Sequence, residues 1–169
     1  MKFQPSPFST MIQTYSLTTM SEVVRYWEDF AVGDRYPTST RTITDDDLDS
    51  FCKLVGYDVP LFVDEEQAAD SSYGGRICPS HLIMSVATAM TGRLFSESLI
   101  GLLGLENGKF LAPVHPGDSL STEVEVIEKR RTSKPERGIV IFRDHVLNQD
   151  GVEVFQIDKI TLISCREAG

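Results

Sequence analysis

The segment Pro79–Phe95 (PSHLIMSVATAMTGRLF) decides the fold, because it is the most hydrophobic candidate helix of the chain. Its apolar residues recur at helical spacing and cover most of a helical surface: Leu82, Ile83, Val86, Ala87, Ala89, Met90 and Leu94. Such a helix is expected to be buried on most sides. Pro79 is predicted in its first turn, where the missing backbone N–H carries no cost.

The residues that follow this helix have the alternating pattern of β-strands. Ser119–Arg131 alternates in this way, and Gly138–Leu147 and Glu153–Ile163 are predicted as two further long strands. The turn Asn148–Gly151 ends in Asp-Gly, which is typical of a hairpin. A shorter strand is predicted at Lys109–Val114. Strands joined by hairpins predict an antiparallel sheet.

One strand and two helices are predicted before the central helix. The threonine-rich stretch Tyr36–Thr44 favours a strand. Thr44 and Asp47 have the spacing of a capping box, and Gly56 is expected to end the helix that they begin. A second, short helix is predicted near Asp64. The whole pattern predicts an α+β fold, with an antiparallel sheet wrapped around a long buried central helix.

Composition excludes several classes of protein. The 169 residues fit one domain, and 25 acidic against 16 basic residues give a net charge of −9. Proteins that bind the backbone of nucleic acids or anionic membranes normally have the opposite balance. No apolar run approaches the roughly 18 residues that span a bilayer. We therefore expect neither a nucleic-acid nor a membrane partner.

The amino-terminal region and the cysteines indicate the domain limits and the compartment. Residues 1–25 are predicted to be a flexible tail, with Met20 as an alternative start, and residues 26–169 to form the domain. Cys52, Cys78 and Cys165 lie far apart and form no Cys-x-x-Cys pair. This spacing favours reduced, cytoplasmic thiols over a disulfide framework or a zinc site.

Basic residues are concentrated in one short stretch of this acidic chain. Lys129, Arg130, Arg131, Lys134 and Arg137 fall within nine residues at a predicted hairpin. Such a cluster can bind the phosphates of a small ligand, since both residue types bind phosphate oxygens well. A solvated turn is the equal alternative.

Four segments, taken together, resemble the MaoC-like dehydratase and (R)-specific enoyl-CoA hydratase family. They are Tyr26–Asp34 (YWEDFAVGD), Gly75–Ile77 (GRI), Phe110–Asp118 (FLAPVHPGD) and Val146–Gly151 (VLNQDG). The resemblance covers roughly residues 26–164. It implies a hot-dog fold, a homodimer or higher oligomer, and hydration or dehydration of acyl thioesters. The implied substrate is an acyl thioester of coenzyme A or of a carrier protein. We expect an acyl-CoA ligand, with coenzyme A as part of the substrate and no other cofactor or metal.

The catalytic pair implied by the resemblance is absent from its expected place. The family places these residues in a Gly-Asp-x-Asn-Pro-x-His motif, and residues 56–64 (GYDVPLFVD) occupy that position here. Tyr57 stands where the aspartate is expected and Phe62 where the histidine is expected. Phenylalanine transfers no proton, and neutral tyrosine is a poor base near pH 7. The family mechanism therefore cannot be carried over unchanged.

Neighbouring residues are the candidates for replacing this pair. Tyr57, Asp58 and His81 are the candidate proton-transfer or orienting residues, although the sequence favours a solvated loop carboxylate for Asp58 and, by a small margin, a hydrogen-bonded structural histidine for His81. In the family, an N–H at the start of the central helix polarises the thioester carbonyl, and Ser80 occupies that position here. The residues expected to bind substrate are Phe62, Pro79, Ser80, Lys129, Arg130, Arg131 and Lys134.

Three functions follow as hypotheses. The leading one is a hydro-lyase acting on an enoyl- or 3-hydroxyacyl thioester of coenzyme A through a non-standard active site. The second is a non-catalytic acyl-CoA-binding or regulatory protein, because aromatic residues replace the acid and the base. The third is an acyl-CoA thioesterase.

Overall fold

A computed structural model describes residues 24–166 as one antiparallel sheet packed against one main helix. The elements run in the order β1 (Arg35–Pro37), β2 (Arg41–Thr42), α1 (Asp45–Val55), α2 (Pro60–Val63), α3 (Glu65–Ala69), α4 (Ser80–Thr91), β3 (Leu99–Phe110), β4 (Ser119–Arg131), β5 (Arg137–Leu147) and β6 (Glu153–Ser164). Short 3-10 turns occupy Trp27–Asp29 and Gly92–Leu94. The predicted tail, residues 1–25, lies outside the described residues except for its last two.

The sheet has the strand order β1–β4–β5–β6–β3, and β2 pairs with β4 at one side. Every pairing is antiparallel, as the hairpin pattern predicted. The α+β class is confirmed, with α4 lying across one face of the sheet. Among residues 24–166, no helix is both long enough and apolar enough to cross a bilayer.

The capping signals placed α1 correctly. The Thr44 hydroxyl accepts a hydrogen bond from the Asp47 N–H at 3.1 Å, and the Asp47 carboxylate accepts one from the Thr44 N–H at 3.0 Å. Gly56 ends the helix with φ 75°, a left-handed conformation that glycine adopts without strain. These signals are local, so they needed no tertiary context.

The central helix differs from its prediction in two respects. Pro79 is the residue before the helix and not part of its first turn, because its ψ of 144° is extended. The sheet covers only one side of α4, so the opposite side, with Ser85, Thr88 and Ala89, is exposed in the single chain. These residues are small or polar, which suits a solvent-facing side.

The strand predicted at Lys109–Val114 is wrong. The actual strand, β3, is longer and ends at Phe110, while residues 111–114 form an irregular segment. Its alternation is hidden because β3 is an edge strand with three register shifts and glycines at 101, 104 and 108. The sequence pattern also does not predict the short turn of helix α2.

The core beneath α4 consists of two apolar clusters. The amino-terminal cluster lies under the first half of α4 and includes Leu82, Ile83, Val86, Ala87, Leu120, Val146, Phe155 and Ile157. The carboxy-terminal cluster lies beyond the end of α4 and includes Phe30, Leu94, Phe95, Val124, Val126, Val140, Phe142 and Ile163. The start of α4 therefore lies over one end of the sheet, and the β4–β5 hairpin forms the other end.

Candidate functional site

A pocket of about 280 Å³ opens at the start of α4. Its lining comes from the loop before α4, the first turn of α4 and the segment after β3: Tyr73, Ile77, Cys78, Ser80, Ile83 and residues 110–114. The Cys78 N–H donates a hydrogen bond to the Val114 carbonyl at 2.7 Å and joins two of these walls. The pocket is thus built where a helix begins.

The amino end of α4 presents unpaired backbone donors at this pocket. The N–H groups of Leu82 and Ile83 donate to the Pro79 carbonyl, at 2.9 and 3.3 Å. The N–H groups of Ser80 and His81 have no acceptor among residues 24–166. These donors lie at the positive end of the helix dipole, so they favour a ligand oxygen that carries negative charge.

The side chains that line the pocket are mostly apolar. Ser80, Tyr73 and Cys78 supply the polar side-chain atoms, and the lining of the described chain includes no carboxylate or imidazole. Burial raises the pKa of the Cys78 thiol to about 12, so this cysteine is a neutral thiol near pH 7 and not an activated nucleophile. The pocket can hold an apolar group and hydrogen-bond an oxygen, but it offers no strong acid or base of its own.

Tyr57 and Phe62, at the positions expected for the catalytic pair, lie against each other. Their ring centroids are 5.6 Å apart, and Phe51 extends the row with its centroid 6.4 Å from that of Tyr57. All three rings are half-buried and pack against the amino-terminal cluster. Neither Tyr57 nor Phe62 lines the pocket. The two side chains at the positions expected for an acid and a base are therefore engaged in aromatic packing with each other.

The other candidates lie near the pocket or away from it. His81 is exposed in the first turn of α4, directly after Ser80, and its ring has no hydrogen-bond partner in the described part of the chain. Asp58 is exposed and does not line the pocket. Pro79 is buried directly before Ser80. Of the candidates near the pocket, Ser80 alone belongs to its lining.

A partly buried arginine beside the pocket, Arg76, was not identified from the sequence. Arg76 contacts carboxylates of Asp45 and Asp49 in α1 at 2.7 and 2.6 Å, and Glu65 in α3 at 3.0 Å. The hydrogen bond with Asp49, together with the attraction of the neighbouring carboxylates, raises the pKa of Arg76. Its carbonyl lies 2.8 Å from Nδ1 of His115. Arg76 therefore ties both short helices to the loop that leads into the pocket.

The predicted phosphate-binding cluster lies at the hairpin between β4 and β5. Leu120 belongs to the core beside the pocket, and eleven residues of strand, roughly 35 Å, separate it from Arg131. Lys129 and Arg131 lie over the Trp27 ring, 3.9 and 4.0 Å from its centroid. The Lys129 ammonium donates to the Phe30 carbonyl at 2.6 Å. The single chain does not bring this cluster to the pocket.

The remaining members of the basic cluster are more exposed. Arg130 pairs with Glu128 of its own strand at 3.2 Å, and both side chains are about half exposed. Lys134 is exposed in the hairpin turn. Binding of phosphate by these residues stays a prediction.

Comparison with protein families and curated proteins gives concordant matches. Residues 29–143 match the family described as MaoC like domain. Protein MaoC of Klebsiella aerogenes is 32% identical over 113 residues, which cover 67% of this chain and 33% of that protein. Beta-methylmalyl-CoA dehydratase of Chloroflexus aurantiacus is 30% identical over 125 residues, covering 73% of this chain and 36% of that protein. The chain spans about a third of the length of these two curated relatives.

Solved structures show the same fold. A MaoC-like dehydratase from Rhodospirillum rubrum superposes with a TM-score of 0.75 at 25% identity and covers 84% of this chain and 98% of its own. An (R)-hydratase from Pseudomonas aeruginosa has a TM-score of 0.68 at 26% identity, with 84% and 86% covered. A Mycobacterium tuberculosis protein described as a double hot-dog fold has a TM-score of 0.78 at 18% identity, with 86% and 46% covered. The predicted hot-dog fold is confirmed.

Proposed function

The chain belongs to the MaoC-like domain family, and from this premise we propose that it binds an acyl thioester of coenzyme A at the start of α4. The observation that carries the proposal is an apolar pocket lined by Ser80, whose N–H, like that of the adjacent His81, has no acceptor among residues 24–166. A thioester carbonyl oxygen is an acceptor suited to these donors, and the apolar lining suits the acyl group. The chemistry named for the Chloroflexus aurantiacus relative, a coenzyme A thioester, supports the same ligand class.

Binding without turnover by the single chain is the function that the geometry supports best. Hydration of an enoyl thioester needs a base for water and an acid for the α-carbon. Tyr57 and Phe62 are engaged in aromatic packing, Asp58 is exposed and does not line the pocket, and residues 24–166 contribute no carboxylate or imidazole to the lining. These observations favour an acyl-CoA-binding protein built on a hydratase scaffold.

Hydration or dehydration is the second candidate function. One observation favours it: His81 follows Ser80 directly in the first turn of α4, so an imidazole lies next to the proposed thioester site. Family membership favours the same hydro-lyase class. Thioester hydrolysis would need a base to activate water at the carbonyl, and no observation favours it over hydration.

Replacing Ser80 tests the thioester site directly. Ser80 is the first residue of α4, where proline is well tolerated, and the extended ψ of Pro79 is compatible with a following proline. Ser80→Pro therefore removes the N–H donor and leaves the helix start intact. We expect its affinity for butyryl-CoA, measured by calorimetry, to fall about tenfold, the worth of roughly one hydrogen bond.

The matched control is Ser80→Ala, which removes the hydroxyl and keeps the N–H. Its affinity should stay within about twofold of the unsubstituted protein. Equal affinity of Ser80→Pro and Ser80→Ala would exclude the N–H as a thioester donor. If the unsubstituted protein caused a loss of crotonyl-CoA absorbance and His81→Ala did not, the protein would be a hydratase and not a binding protein without turnover.

A homodimer through β3 is proposed as the assembly. β3 is an edge strand, and its exposed apolar side chains, each 42–56% exposed, are Leu99, Ile100, Leu102, Leu103, Leu105 and Phe110. An unpaired edge with such side chains favours pairing with another chain. Leu103→Lys should convert a dimer to a monomer in sedimentation experiments, whereas Leu54→Lys, on α1, should not. A monomeric unsubstituted protein would refute the assembly.

A cytoplasmic location is proposed from the cysteines. Cys52, Cys78 and Cys165 are all free and buried. Free thiols are typical of reducing compartments.

A further inference from the structure

A layer of polar side chains crosses the core between its two apolar clusters. The central helix and the three central strands of the sheet each contribute at least one buried polar residue. They are Thr91 of α4, Thr122 of β4, Asp144 of β5, and Lys159 and Thr161 of β6, all at most 3% exposed. On β4 and β5 the neighbouring inward positions on both sides are apolar, and on β6 the two polar residues lie between Ile157 and Ile163. The layer therefore divides the core beneath α4 into two compartments.

A charged pair lies at the centre of this layer. The Lys159 ammonium is 2.6 Å from Oδ2 of Asp144 and donates to the Thr91 hydroxyl, also at 2.6 Å. Burial raises the pKa of Asp144 and lowers the pKa of Lys159. Oδ1 of Asp144 and the Thr122 hydroxyl, two atoms on adjacent strands, have no hydrogen-bond partner among the described residues.

Stability does not explain such an arrangement. Replacing a buried ion pair by apolar residues of similar volume is often neutral or stabilising, and buried polar atoms without partners are costly. The position of the layer in the core therefore suggests a better explanation than stability. The layer lies directly beyond the amino-terminal cluster, on which the pocket opens.

The pocket and the layer lie along the same face of α4. Ile83 lines the pocket, and Ala87 and Thr91 follow it at intervals of four residues, so all three lie on the same face. Eight residues of helix separate Ile83 from Thr91, a distance of about 12 Å. The side chains of the amino-terminal cluster fill the space between Ile83 and the pair Lys159 and Asp144, so an acyl chain that extended from Ile83 along this face would have to displace them before it met the layer.

We propose that this polar layer limits the length of acyl chain that the pocket accepts, an inference that rests on the proposed binding of acyl-CoA. A methylene placed in the amino-terminal cluster gains affinity. A methylene placed against the layer would have to desolvate Lys159 and Asp144 further and would gain nothing. The limit is set by polarity, so replacing the charged pair by apolar side chains of similar size should extend it.

The experiment measures affinity by calorimetry for butyryl-, hexanoyl-, octanoyl-, decanoyl- and dodecanoyl-CoA, with free coenzyme A as the reference. Each two-carbon extension within an apolar site is expected to raise affinity about 15-fold. In the unsubstituted protein this gain should stop within the series. In the double variant Asp144→Val with Lys159→Met, it should continue for at least one further extension, with butyryl-CoA affinity unchanged.

The matched control is Arg143→Met with Asp158→Val. Arg143 and Asp158 form an ion pair at 2.7 Å on the same two strands, adjacent in sequence to Asp144 and Lys159 but on the outer face. This control should keep the limit of the unsubstituted protein. Thr91→Val, a volume-conserving change in the layer, provides a second test should the double variant not fold, and it should raise affinity for the first chain beyond the limit.

The outcomes separate this inference from the proposed function. If both layer variants bind butyryl-CoA and keep the chain-length limit of the unsubstituted protein, the limit is steric. This result would overturn the present inference but not the proposed function. A gain that continues through dodecanoyl-CoA in the unsubstituted protein would also overturn it. Affinity for butyryl-CoA no higher than for free coenzyme A would refute the proposed function itself.

Discussion

The two ends of the sheet use their polar groups in opposite ways. At the pocket end, the N–H groups of Ser80 and His81 have no acceptor in the described chain, although few charged side chains surround them. At the hairpin end, Lys129 and Arg131 enclose the Trp27 ring, and Lys129 also donates to backbone carbonyls. Lys129 and Arg131 at the hairpin end thus have partners within the chain, whereas the two donors at the pocket end have none among residues 24–166. We therefore expect ligand binding at the pocket end, although the charge of the sequence is densest at the hairpin end.

The largest effect is expected at the hairpin end, from Gly138→Ala. A Cβ at Gly138 would overlap the Trp27 ring, whose Nε1 donates to the Ile139 carbonyl at 3.2 Å. Overpacking of this kind should lower the free energy of unfolding by about 2–3 kcal/mol. Trp27 is the only tryptophan of the chain, so its fluorescence should shift to the red as the ring is displaced. Butyryl-CoA affinity at the distant pocket should be unchanged.

The control for this prediction is Gly101→Ala in β3, where an added Cβ meets nothing within 4 Å. Its stability and fluorescence should match those of the unsubstituted protein. If Gly138→Ala also weakened butyryl-CoA binding, the two ends would be coupled and their separation into a binding and a structural end would fail.

Arg76→Met should have the largest effect on stability at the pocket end. Arg76 is largely buried, with its side chain 12% exposed, but its carboxylate partners are well exposed to solvent. The expected loss is therefore moderate, about 1–2 kcal/mol of unfolding free energy. Because Arg76 ties α1 and α3 to the loop that lines the pocket, butyryl-CoA affinity should fall as well.

Arg41→Met serves as the comparison, since Arg41 forms one exposed ion pair, with Asp47 at 2.8 Å. It should change the free energy of unfolding by less than about 0.5 kcal/mol. An Arg76→Met protein that loses stability but binds butyryl-CoA normally would show that the clamp supports the fold and not the pocket.

A smaller, pH-dependent effect is expected from Asp47→Asn. The hydrogen bond from the Thr44 N–H lowers the pKa of Asp47 in the folded protein below the unfolded value of about 3.9. A lowered pKa stabilises the fold above the unfolded value, and this contribution is lost as the pH falls through the lower, folded value. When the pH is lowered from about 6 to about 3, the free energy of unfolding in urea should therefore fall less for Asp47→Asn than for the unsubstituted protein.

Asp46→Asn is the control for this pH effect, because it removes an equal charge from the same helical turn. It should retain the acid sensitivity of the unsubstituted protein. The difference between the two variants should be about 1 kcal/mol at most, the usual contribution of a helix cap. Identical pH profiles would mean that the cap does not depend on the charge of Asp47.

What the sequence predicted correctly depended on local signals. Thr44, Asp47 and Gly56 define α1 through contacts within a few residues, and the Asp-Gly pair at 150–151 fixes the last hairpin. The edge strand β3 was displaced in the prediction because its exposed apolar side chains and register shifts remove the alternation on which a strand prediction depends. The bounds of an element that is set by local contacts, such as α1, can thus be predicted from the sequence, whereas the bounds of an edge strand such as β3 cannot.

The site was predicted only in part, because its geometry is tertiary. Ser80 was identified through the family resemblance and does line the pocket. The Arg76 clamp joins residues 11 to 31 positions apart, and the pairing of Lys159 with Asp144 depends on the register of β5 and β6. No periodicity in the sequence reports such contacts. The sequence indicated the chemistry of single residues but did not predict which of them contact one another in the fold.

The smallest effect is expected from Arg130→Ala combined with Lys134→Ala at the hairpin end. Both side chains are exposed and, in the single chain, roughly 35 Å from the pocket, so butyryl-CoA affinity should stay within about twofold. Lys53→Ala with Arg35→Ala removes the same charge elsewhere and controls for the change in net charge.

A several-fold loss of affinity confined to the hairpin variant, together with a weaker dependence of affinity on salt, would instead show that the hairpin binds phosphates of coenzyme A. Because the hairpin and the pocket of one chain lie roughly 35 Å apart, this result would require a second copy of the chain to bring its hairpin to the pocket. The hairpin end would then take part in binding.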